Sequence, residues 1–151
     1  MVCTVFIWSL IVKDVVYICT QNSARSIIAE AITNYKYSES LKGFSAGSAP
    51  SGVINPKTLD LLNEMKIPTE KLHSKSWDVF GESNSPSMDY VVTVCGNAAK
   101  ETCPIWPGAP KTFHFNIEDP VKQNLNEEEH KKFFRSTFDY IDQLIKENLL
   151  K

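Results

Sequence analysis

The sequence has no surplus of basic residues and few cysteines. Among its 151 residues, 16 Lys and Arg stand against 18 Asp and Glu, for a formal net charge of -2. This balance disfavours a nucleic-acid-binding protein, which carries a positive surface. Four cysteines are few for a disulfide scaffold, and a chain of this length buries a core without such crosslinks. We therefore expect reduced thiols, a cytoplasmic location and no nucleic-acid partner.

Long apolar runs are also missing. In the one apolar stretch, residues 1–12, only Thr4 and Ser9 are polar, and a helix of that length falls short of the ~30 Å hydrocarbon core of a membrane. The stretch lacks the basic region and the cleavage site of a secretory signal. We interpret residues 1–13 as an N-terminal extension, either an added strand or a loose tail, with a membrane-related role as the alternative. Residues 14–151 are then a single domain.

Short apolar runs alternate with helical periods along that domain. Strands are predicted at 15–18, 43–47, 90–94 and 112–115, where apolar and β-branched residues cluster. Each is followed by a helix or loop that crosses back, which implies parallel pairing with right-handed crossovers. The sequence therefore predicts a three-layer α/β fold with a four-stranded parallel sheet flanked by helices. Ligands bind beyond the carboxyl ends of the strands in such sheets.

Three helices are predicted from spacing and end signals. Ile27, Ala31 and Tyr35 recur every four residues after the first strand, on one helix face. Pro56 occupies a first-turn position in a second helix over 55–66. The last helix begins at three consecutive glutamates, which suit a helix N-terminus, and carries one apolar stripe: Phe134, Phe138, Ile141 and Ile145.

A five-residue loop separates Cys19 from Arg25, between the first strand and the first helix. Such a loop can turn successive backbone N–H groups inward and form a nest for a tetrahedral oxyanion, to which Arg25 adds a planar fork of donors. The same field is expected to lower the pKa of the Cys19 thiol below the ~8.5 of a free thiol, making it a nucleophile. A cysteine that only packs in the core is the alternative. The predicted oxyanion-binding residues are Thr20, Gln21, Asn22, Ser23, Ala24, Arg25 and Ser26.

These residues carry a family resemblance. The segment VYICTQNSARSIIAEA at 16–31 resembles the signature of the low-molecular-weight protein tyrosine phosphatases, and more closely that of their arsenate reductase branch. Further segments agree over roughly residues 15–121, most of the chain: FSAG at 44–47, GVINPKTLDLL at 52–62, VCGNAAKETCPIWPG at 94–108, and Asp119-Pro120.

The resemblance implies two activities that share the loop. In the phosphatases, Cys19 would attack a phosphoester, Asp119 would protonate the leaving group, and water would release phosphate. In the reductases, Cys19 attacks arsenate, and a second thiol then attacks Cys19, which releases arsenite and leaves a disulfide. Cys95, at a strand end, fits the second thiol, and Cys103 fits a third that moves the disulfide to an exposed place. A buried structural Cys95 and an idle Cys103 are the alternative.

Asp119 is the remaining candidate for catalysis. Pro120 holds it in an extended conformation, and the resemblance implies that it is the general acid. An aromatic residue commonly follows this pair in the phosphatases, whereas Val121 stands here, which favours the reductase. We predict an arsenate reductase with a relay from Cys19 to Cys95 to Cys103. A phosphatase is the first alternative, and a non-catalytic oxyanion- or phosphotyrosine-binding module is the second.

The resemblance also bears on partners and metals. The reductant is external: thioredoxin acting on a disulfide between Cys95 and Cys103, or glutathione with glutaredoxin acting on the Cys19 adduct. Some reductases hold potassium behind the loop, where Lys75 here stands in place of a usual acid, so its ammonium replaces the cation and no bound metal is expected. The chain is expected to act as a monomer. The other three matching ligand positions are Asn22, Glu30 and Ser45.

Overall fold

Four parallel strands make one sheet in this protein. The structure, a computed structural model, describes residues 11–81, 85–95, 108–121 and 124–150. The sheet has the order β2-β1-β3-β4, and every neighbouring pair is parallel. The predicted fold class is therefore confirmed. The strands are β1 (Lys13–Cys19), β2 (Leu41–Gly47), β3 (Tyr90–Thr93) and β4 (Lys111–His114).

β1 is a central strand, because it pairs with β2 on one side and β3 on the other. Its residues from Val15 to Ile18 are completely buried, which explains why they form a continuous apolar run and not an alternating one. In the register, Cys19 pairs with Gly47 and Ile18 pairs with Thr93. Parallel pairing thus brings the carboxyl ends of three strands to the same edge of the sheet.

Helix α1 (Arg25–Lys36) follows the loop after β1, as predicted. Ile27, Ile28 and Ile32 are fully buried, but Tyr35 is 53% exposed. Tyr35, which the four-residue spacing places on the same face as Ile27, is exposed because the last turn of α1, residues 34–36, is exposed as a whole.

Helix α2 (Pro56–Glu64) begins at its proline, and the Asn55 side chain caps it by accepting a hydrogen bond from the Lys57 amide. It ends two residues before the predicted Lys66, which has a positive φ of 61° and cannot continue a right-handed helix. A short 3₁₀ helix follows at Trp77–Gly81.

Helix α3 (Glu127–Leu149) starts with a capping box between Asn126 and Glu129, in which each side chain accepts from the other's backbone amide. The predicted apolar stripe is buried along its whole length, from Phe134 to Ile145. Helix α3 contacts both α1 and α2.

No helix among the described residues is long and apolar enough to span a membrane. Of the predicted N-terminal extension, residues 1–10 lie outside the described residues. Ile11 and Val12, at its described end, are exposed. The boundary between extension and domain stays a prediction.

Candidate active site

The loop from Cys19 to Arg25 turns its backbone carbonyls outward. Asn22, in the middle of the loop, has a positive φ of 52°, a conformation that Asn tolerates better than most residues. The outward carbonyls of Cys19, Thr20, Gln21 and Ser23 accept hydrogen bonds from two neighbouring segments. Their donors are the amides of Ser48, Ala49, Ser51 and Asn55 and the hydroxyls of Thr58 and Ser74, at 2.9–3.3 Å.

With its carbonyls directed outward, the loop has its amide N–H groups on the opposite, inner side. Carbonyls that are bonded outward turn the N–H groups of the same peptides toward the loop interior, as in backbone anion-binding nests. The loop also leads into the N-terminus of α1, whose partial positive charge favours an anion. The loop therefore has the geometry of an oxyanion-binding site.

Gly47, at the end of β2, allows the close packing of the loop against the sheet edge. A Cβ atom at this position would lie 2.5 Å from the Thr20 carbonyl oxygen and 3.1 Å from the Asn22 amide. No other residue fits there without moving backbone. Gly47 is not recognisable as a site residue from the sequence alone, because the close approach arises only when β2 and the loop are placed side by side.

A buried hydrogen-bond network lies behind the loop. The Asn22 side-chain amide donates to the Ser26 hydroxyl at 2.8 Å and to the Ser45 hydroxyl at 3.0 Å. Its oxygen accepts from the Lys75 backbone amide at 2.9 Å. Ser45 in turn donates to the Glu30 carboxylate at 2.5 Å. The network links β2, α1 and the segment before the 3₁₀ helix to the one loop residue in a left-handed conformation.

Glu30 and Lys75 form an ion pair at the base of this network. The Lys75 ammonium lies 3.8 Å from Glu30 Oε1, and both side chains are largely buried. Burial raises the pKa of Glu30, although the hydrogen bond from Ser45 and the charge of Lys75 lower it in part. Burial lowers the pKa of Lys75, although the charge of Glu30 raises it in part. An ammonium therefore stands among the side chains that the resemblance names as cation ligands.

Cys19 and Cys95 meet at the carboxyl edge of the sheet. Their thiols are hydrogen-bonded to each other, both residues are buried, and neither is in a disulfide. The Thr20 hydroxyl lies 3.6 Å from the Cys95 sulfur. The structure thus brings together two of the three cysteines of the predicted relay.

The pKa of the Cys19 thiol is raised in this structure, so the prediction that it is lowered is wrong here. The hydrogen bond to Cys95 stabilises the protonated thiol, and burial and the charge of an ionised Cys95 act in the same direction. The Asn22 backbone amide and the Arg25 charge lower the pKa, as the sequence analysis expected, but they are outweighed.

Arg25 joins the loop to the segment that carries Asp119. Its guanidinium donates to the Ile117 carbonyl oxygen at 2.9 Å and lies 3.5 Å from Asp119 Oδ2. The other Asp119 oxygen accepts from the Val121 amide at 2.9 Å. Arg25 and Asp119 are both partly exposed. The predicted general acid is therefore placed beside the predicted oxyanion loop.

Cys103, the third thiol of the predicted relay, lies outside the described residues. Within the described ranges, no cluster of three or more His, Cys, Asp and Glu side chains could hold a metal ion. The supporting hydroxyls of Thr58 and Ser74 were not predicted, because isolated Ser and Thr residues in loops carry no pattern of their own.

A surface cavity of about 750 Å³ lies between α2 and α3, apart from the Cys19 loop. Its walls carry two ion pairs, Lys57 with Glu127 at 2.9 Å and Lys131 with Glu64 at 2.7 Å. These charges are paired within the chain and present no nucleophile. The candidate active site is therefore the Cys19 loop at the sheet edge and not this cavity.

Comparison with known proteins agrees with the predicted family and fold. Residues 14–151 match the family model for low molecular weight phosphotyrosine protein phosphatase. The chain therefore belongs to this family. Two curated relatives are arsenate reductases, from Shouchella clausii and Bacillus subtilis. Each is 32% identical and is aligned over 89% of this chain, and the alignments cover 93% and 94% of those proteins.

A solved structure gives the same picture. The thioredoxin-dependent arsenate reductase of Corynebacterium glutamicum superposes with a TM-score of 0.65 at 25% identity. The match covers 90% of this chain and spans 61% of that one. The predicted resemblance to the reductase branch of the family is confirmed by these relatives.

Proposed function

We propose that this protein reduces arsenate to arsenite, with Cys19 as the nucleophile and Cys95 as the second thiol. The observation that carries the proposal is the contact between these two thiols beside an oxyanion loop. Hydrolysis of a phosphoester needs one thiol and an acid, whereas reduction needs a second thiol that can reach the first. The curated relatives named arsenate reductase support the same choice.

The first step is attack of the Cys19 thiolate on arsenic. A sulfur–arsenic bond forms, the bond from arsenic to one of its hydroxyl groups breaks, and the departing hydroxyl takes a proton from Asp119 and leaves as water. The inward amides of the loop and the Arg25 guanidinium hold the remaining oxygens. The Ser26 hydroxyl accepts from Asn22, so its own proton can be donated to the Cys19 thiolate.

The second step transfers two electrons. Cys95 attacks the Cys19 sulfur, a disulfide forms, and the sulfur–arsenic bond breaks with its electron pair remaining on arsenic, which becomes arsenite. The proton lost by Cys95 is taken up by the released oxyanion. The Thr20 hydroxyl, 3.6 Å from the Cys95 sulfur, stabilises the attacking thiolate.

The fate of the disulfide involves residues beyond the described part of the site. We propose that Cys103 attacks Cys95 and takes over the disulfide, which an external reductant then opens. Thioredoxin is one candidate for this reductant, supported by the similarity to the thioredoxin-dependent arsenate reductase of Corynebacterium glutamicum. The alternative is that glutathione with glutaredoxin resolves the Cys19 adduct directly. We further propose that the chain acts as a monomer in the cytoplasm and holds no metal.

The test is arsenate-dependent NADPH oxidation by the purified chain. Two reducing systems are run in parallel, one with thioredoxin and thioredoxin reductase and one with glutathione, glutaredoxin and glutathione reductase. Turnover in either system supports the reductase and identifies its donor. An aryl phosphate assay on the same preparation provides the comparison, and rapid phosphate release with no NADPH oxidation in either system would contradict the proposal.

A phosphatase is the second candidate. The paired Arg25 and Asp119, next to a thiol nucleophile, are also what phosphoester hydrolysis requires, so we expect weak aryl phosphatase activity even in a reductase. A module that only binds oxyanions would need neither Cys19 nor Asp119. Tight phosphate binding with neither arsenate reduction nor aryl phosphate hydrolysis would support that alternative.

A further inference from the structure

The two edges of the sheet differ in how their backbone groups are bonded. β2 is one edge strand and β4 is the other. Along an edge strand of a parallel ladder, alternate residues point their amide and carbonyl groups away from the neighbouring strand. Such outward groups can pair with a further segment of chain unless something covers them.

Hydrogen bonds within the chain cover the β2 edge. The Asn34 side chain, on α1, donates to the Gly43 carbonyl oxygen at 3.0 Å and accepts from the Gly43 amide at 2.8 Å, as a neighbouring strand would. The outward amides of Leu41 and Gly47 donate to backbone carbonyl oxygens elsewhere in the chain at 2.8 and 2.9 Å. A further strand cannot pair with β2 without breaking these bonds.

The β4 edge is open along the part of the chain that the structure describes. The Lys111 and Phe115 amides donate to backbone carbonyl oxygens on the β3 side at 2.9 and 2.8 Å, which turns Thr112 and His114 outward. Both outward residues are exposed, and the described residues supply no partner for their amides. The Lys111 ammonium lies 5.4 Å from the centroid of the Phe113 ring, over the face of the sheet and not across its edge.

We propose that residues 4–8, with the sequence TVFIW, pair with the open edge of β4 as a fifth, antiparallel strand. β-branched and aromatic residues, the types most enriched in strands, make up this whole segment. An antiparallel edge strand on an otherwise parallel sheet is common in α/β folds. The proposal does not depend on the proposed function, because it involves neither the loop thiols nor an oxyanion.

The length and direction of the chain fit this pairing. β1 begins at Lys13, and the chain reaches it through Ile11 and Val12, which are 55% and 42% exposed. A position beyond β4 lies three strand spacings from β1, or about 14 Å. The five steps from residue 8 to residue 13 span up to ~17 Å when extended. Because the segment must end at the amino edge of the sheet, it runs opposite to β4.

The fifth strand would also support the segment that carries Asp119. That segment follows β4 directly, and its Ile117 carbonyl oxygen accepts from Arg25 at 2.9 Å. Pairing on the free side of β4 holds the strand from which this segment departs. The interaction surface is therefore an edge whose occupant restrains one wall of the candidate active site.

Hydrogen exchange of single amides in the full chain, followed by NMR, tests the pairing. We expect the Thr112 and His114 amides to be protected. Of two neighbouring residues in an added strand, one points its amide at β4, so Phe6→Pro and Ile7→Pro together cover both registers. At least one of them should speed exchange at Thr112 and His114 by about tenfold or more. Unprotected Thr112 and His114 amides in the wild-type chain would overturn the proposal.

The matched control is Val2→Pro, which lies outside the paired residues and should leave this exchange unchanged. The Phe113 amide points to β3 and should stay protected in every variant, which shows that β4 itself remains folded. Equal exchange in Val2→Pro, Phe6→Pro and Ile7→Pro would mean that residues 4–8 do not cover this edge.

The edge is tested from its other side by Thr112→Pro. Proline is tolerated at an outward position of an edge strand, because the amide it removes takes no part in the existing ladder. Exchange of the amides within residues 4–8 should become faster in Thr112→Pro but not in Thr112→Val, which keeps its amide. If residues 4–8 exchange alike in both variants, the segment does not pair with β4.

Dilution separates pairing within one chain from an exchange of strands between two copies. We expect the protection of Thr112 and His114 to be independent of protein concentration. Protection that falls on dilution would assign the edge to a second copy and overturn the proposal. The affected proline variant should also melt at least ~2 °C below Val2→Pro, and equal melting temperatures would contradict a stabilising fifth strand.

Discussion

The guanidinium of Arg25 lies 3.5 Å from the carboxylate of Asp119, although 94 positions separate these two residues in the sequence. The same guanidinium donates to the Ile117 carbonyl oxygen. One side chain at the start of α1 thus holds the segment that carries the acid against the oxyanion loop. An incoming oxyanion and Asp119 then compete for the same donors, and binding is expected to loosen the contact between Arg25 and Asp119.

Arg25→Lys should weaken phosphate binding roughly 10- to 100-fold, because a point charge replaces a planar fork that serves the anion and the Asp119 segment together. Isothermal titration with phosphate measures the loss. Arg135→Lys is the matched control, since Arg135 lies on the exposed face of α3 and its ion pair with Asp139, at 3.4 Å, is exposed to solvent. Equal affinities for wild type and Arg25→Lys would contradict the assigned role.

Cys95→Ser should abolish arsenate turnover and trap arsenic on Cys19, while hydrolysis of a simple aryl phosphate persists. Arsenic bound to the protein is read by mass spectrometry after stoichiometric arsenate. If both activities fell by the same factor, the division of roles between the two thiols would be wrong.

The same variant should shift the titration of Cys19 to lower pH. Cys95 is the largest cause of the raised Cys19 pKa, and a serine hydroxyl does not ionise in its place. A lower pKa puts more thiolate at any given pH, so alkylation of Cys19 by iodoacetamide should become faster near neutral pH. The measurement is the alkylation rate against pH for both proteins, and superimposed profiles would count against the thiol contact.

Gly47→Ala should destabilise the fold by about 1–3 kcal/mol and impair phosphate binding, since the new Cβ collides with the Thr20 carbonyl. Gly81→Ala is the control, because a Cβ there meets nothing within 4 Å, and a surface change of that kind stays within about 0.5 kcal/mol. Urea unfolding with and without phosphate separates the two effects. A Gly47→Ala protein as stable as Gly81→Ala would show that the packing at the sheet edge is looser than described.

Lys75→Met should destabilise the protein by about 1–3 kcal/mol near neutral pH, because it leaves a buried carboxylate without its cation. Lys75 lowers the pKa of Glu30, which burial raises above its ordinary value of 4.5, so the substitution raises that pKa further. A raised carboxyl pKa means that the folded state binds the proton more tightly, and stability is lost as pH rises through it. The deficit should therefore be smallest in acid and grow toward neutral pH.

The double variant Glu30→Gln/Lys75→Met is the control for this titration. With no carboxylate to ionise, its stability relative to wild type should depend less on pH than that of Lys75→Met. Unfolding curves at a series of pH values test both proteins, and parallel pH profiles for the single and double variants would exclude Glu30 as the responsible group.

Exchange of potassium for tetramethylammonium at constant ionic strength should leave the melting temperature of the wild-type chain unchanged. The reason is that the Lys75 ammonium lies 3.8 Å from the Glu30 carboxylate, close to where a cation would otherwise be held. A clear rise in melting temperature with potassium would contradict the prediction that no metal is bound.

The sheet, its helices and the loop were predictable because each follows from a local pattern. The buried run at Val15–Ile18, the periodic isoleucines of α1 and the proline at the start of α2 specify their own conformations. Parallel pairing then places Cys19 and Cys95 at one edge of the sheet. Family, fold and loop position were therefore within reach of the sequence alone.

The electrostatics of Cys19 were not predictable in the same way. Asn22 and Arg25, which lower the pKa of Cys19, are close to it in sequence. Cys95, which raises that pKa, follows another strand, β3. The sign of the pKa shift depends on a contact whose geometry no spacing encodes. The close approach at Gly47 and the exposure of Tyr35 were also not predictable, because both depend on neighbouring elements that the local pattern does not specify.

The contacts of Arg25 also have a consequence for the order of folding. Its partner Ile117 is 92 positions away, and the contact between Thr20 and Cys95 closes 75 positions. Contacts of high sequence separation form late in cooperative folding because long loops must close first. During refolding, helical circular dichroism should therefore recover before activity, and the nucleophile should remain open to alkylation until the last strands dock.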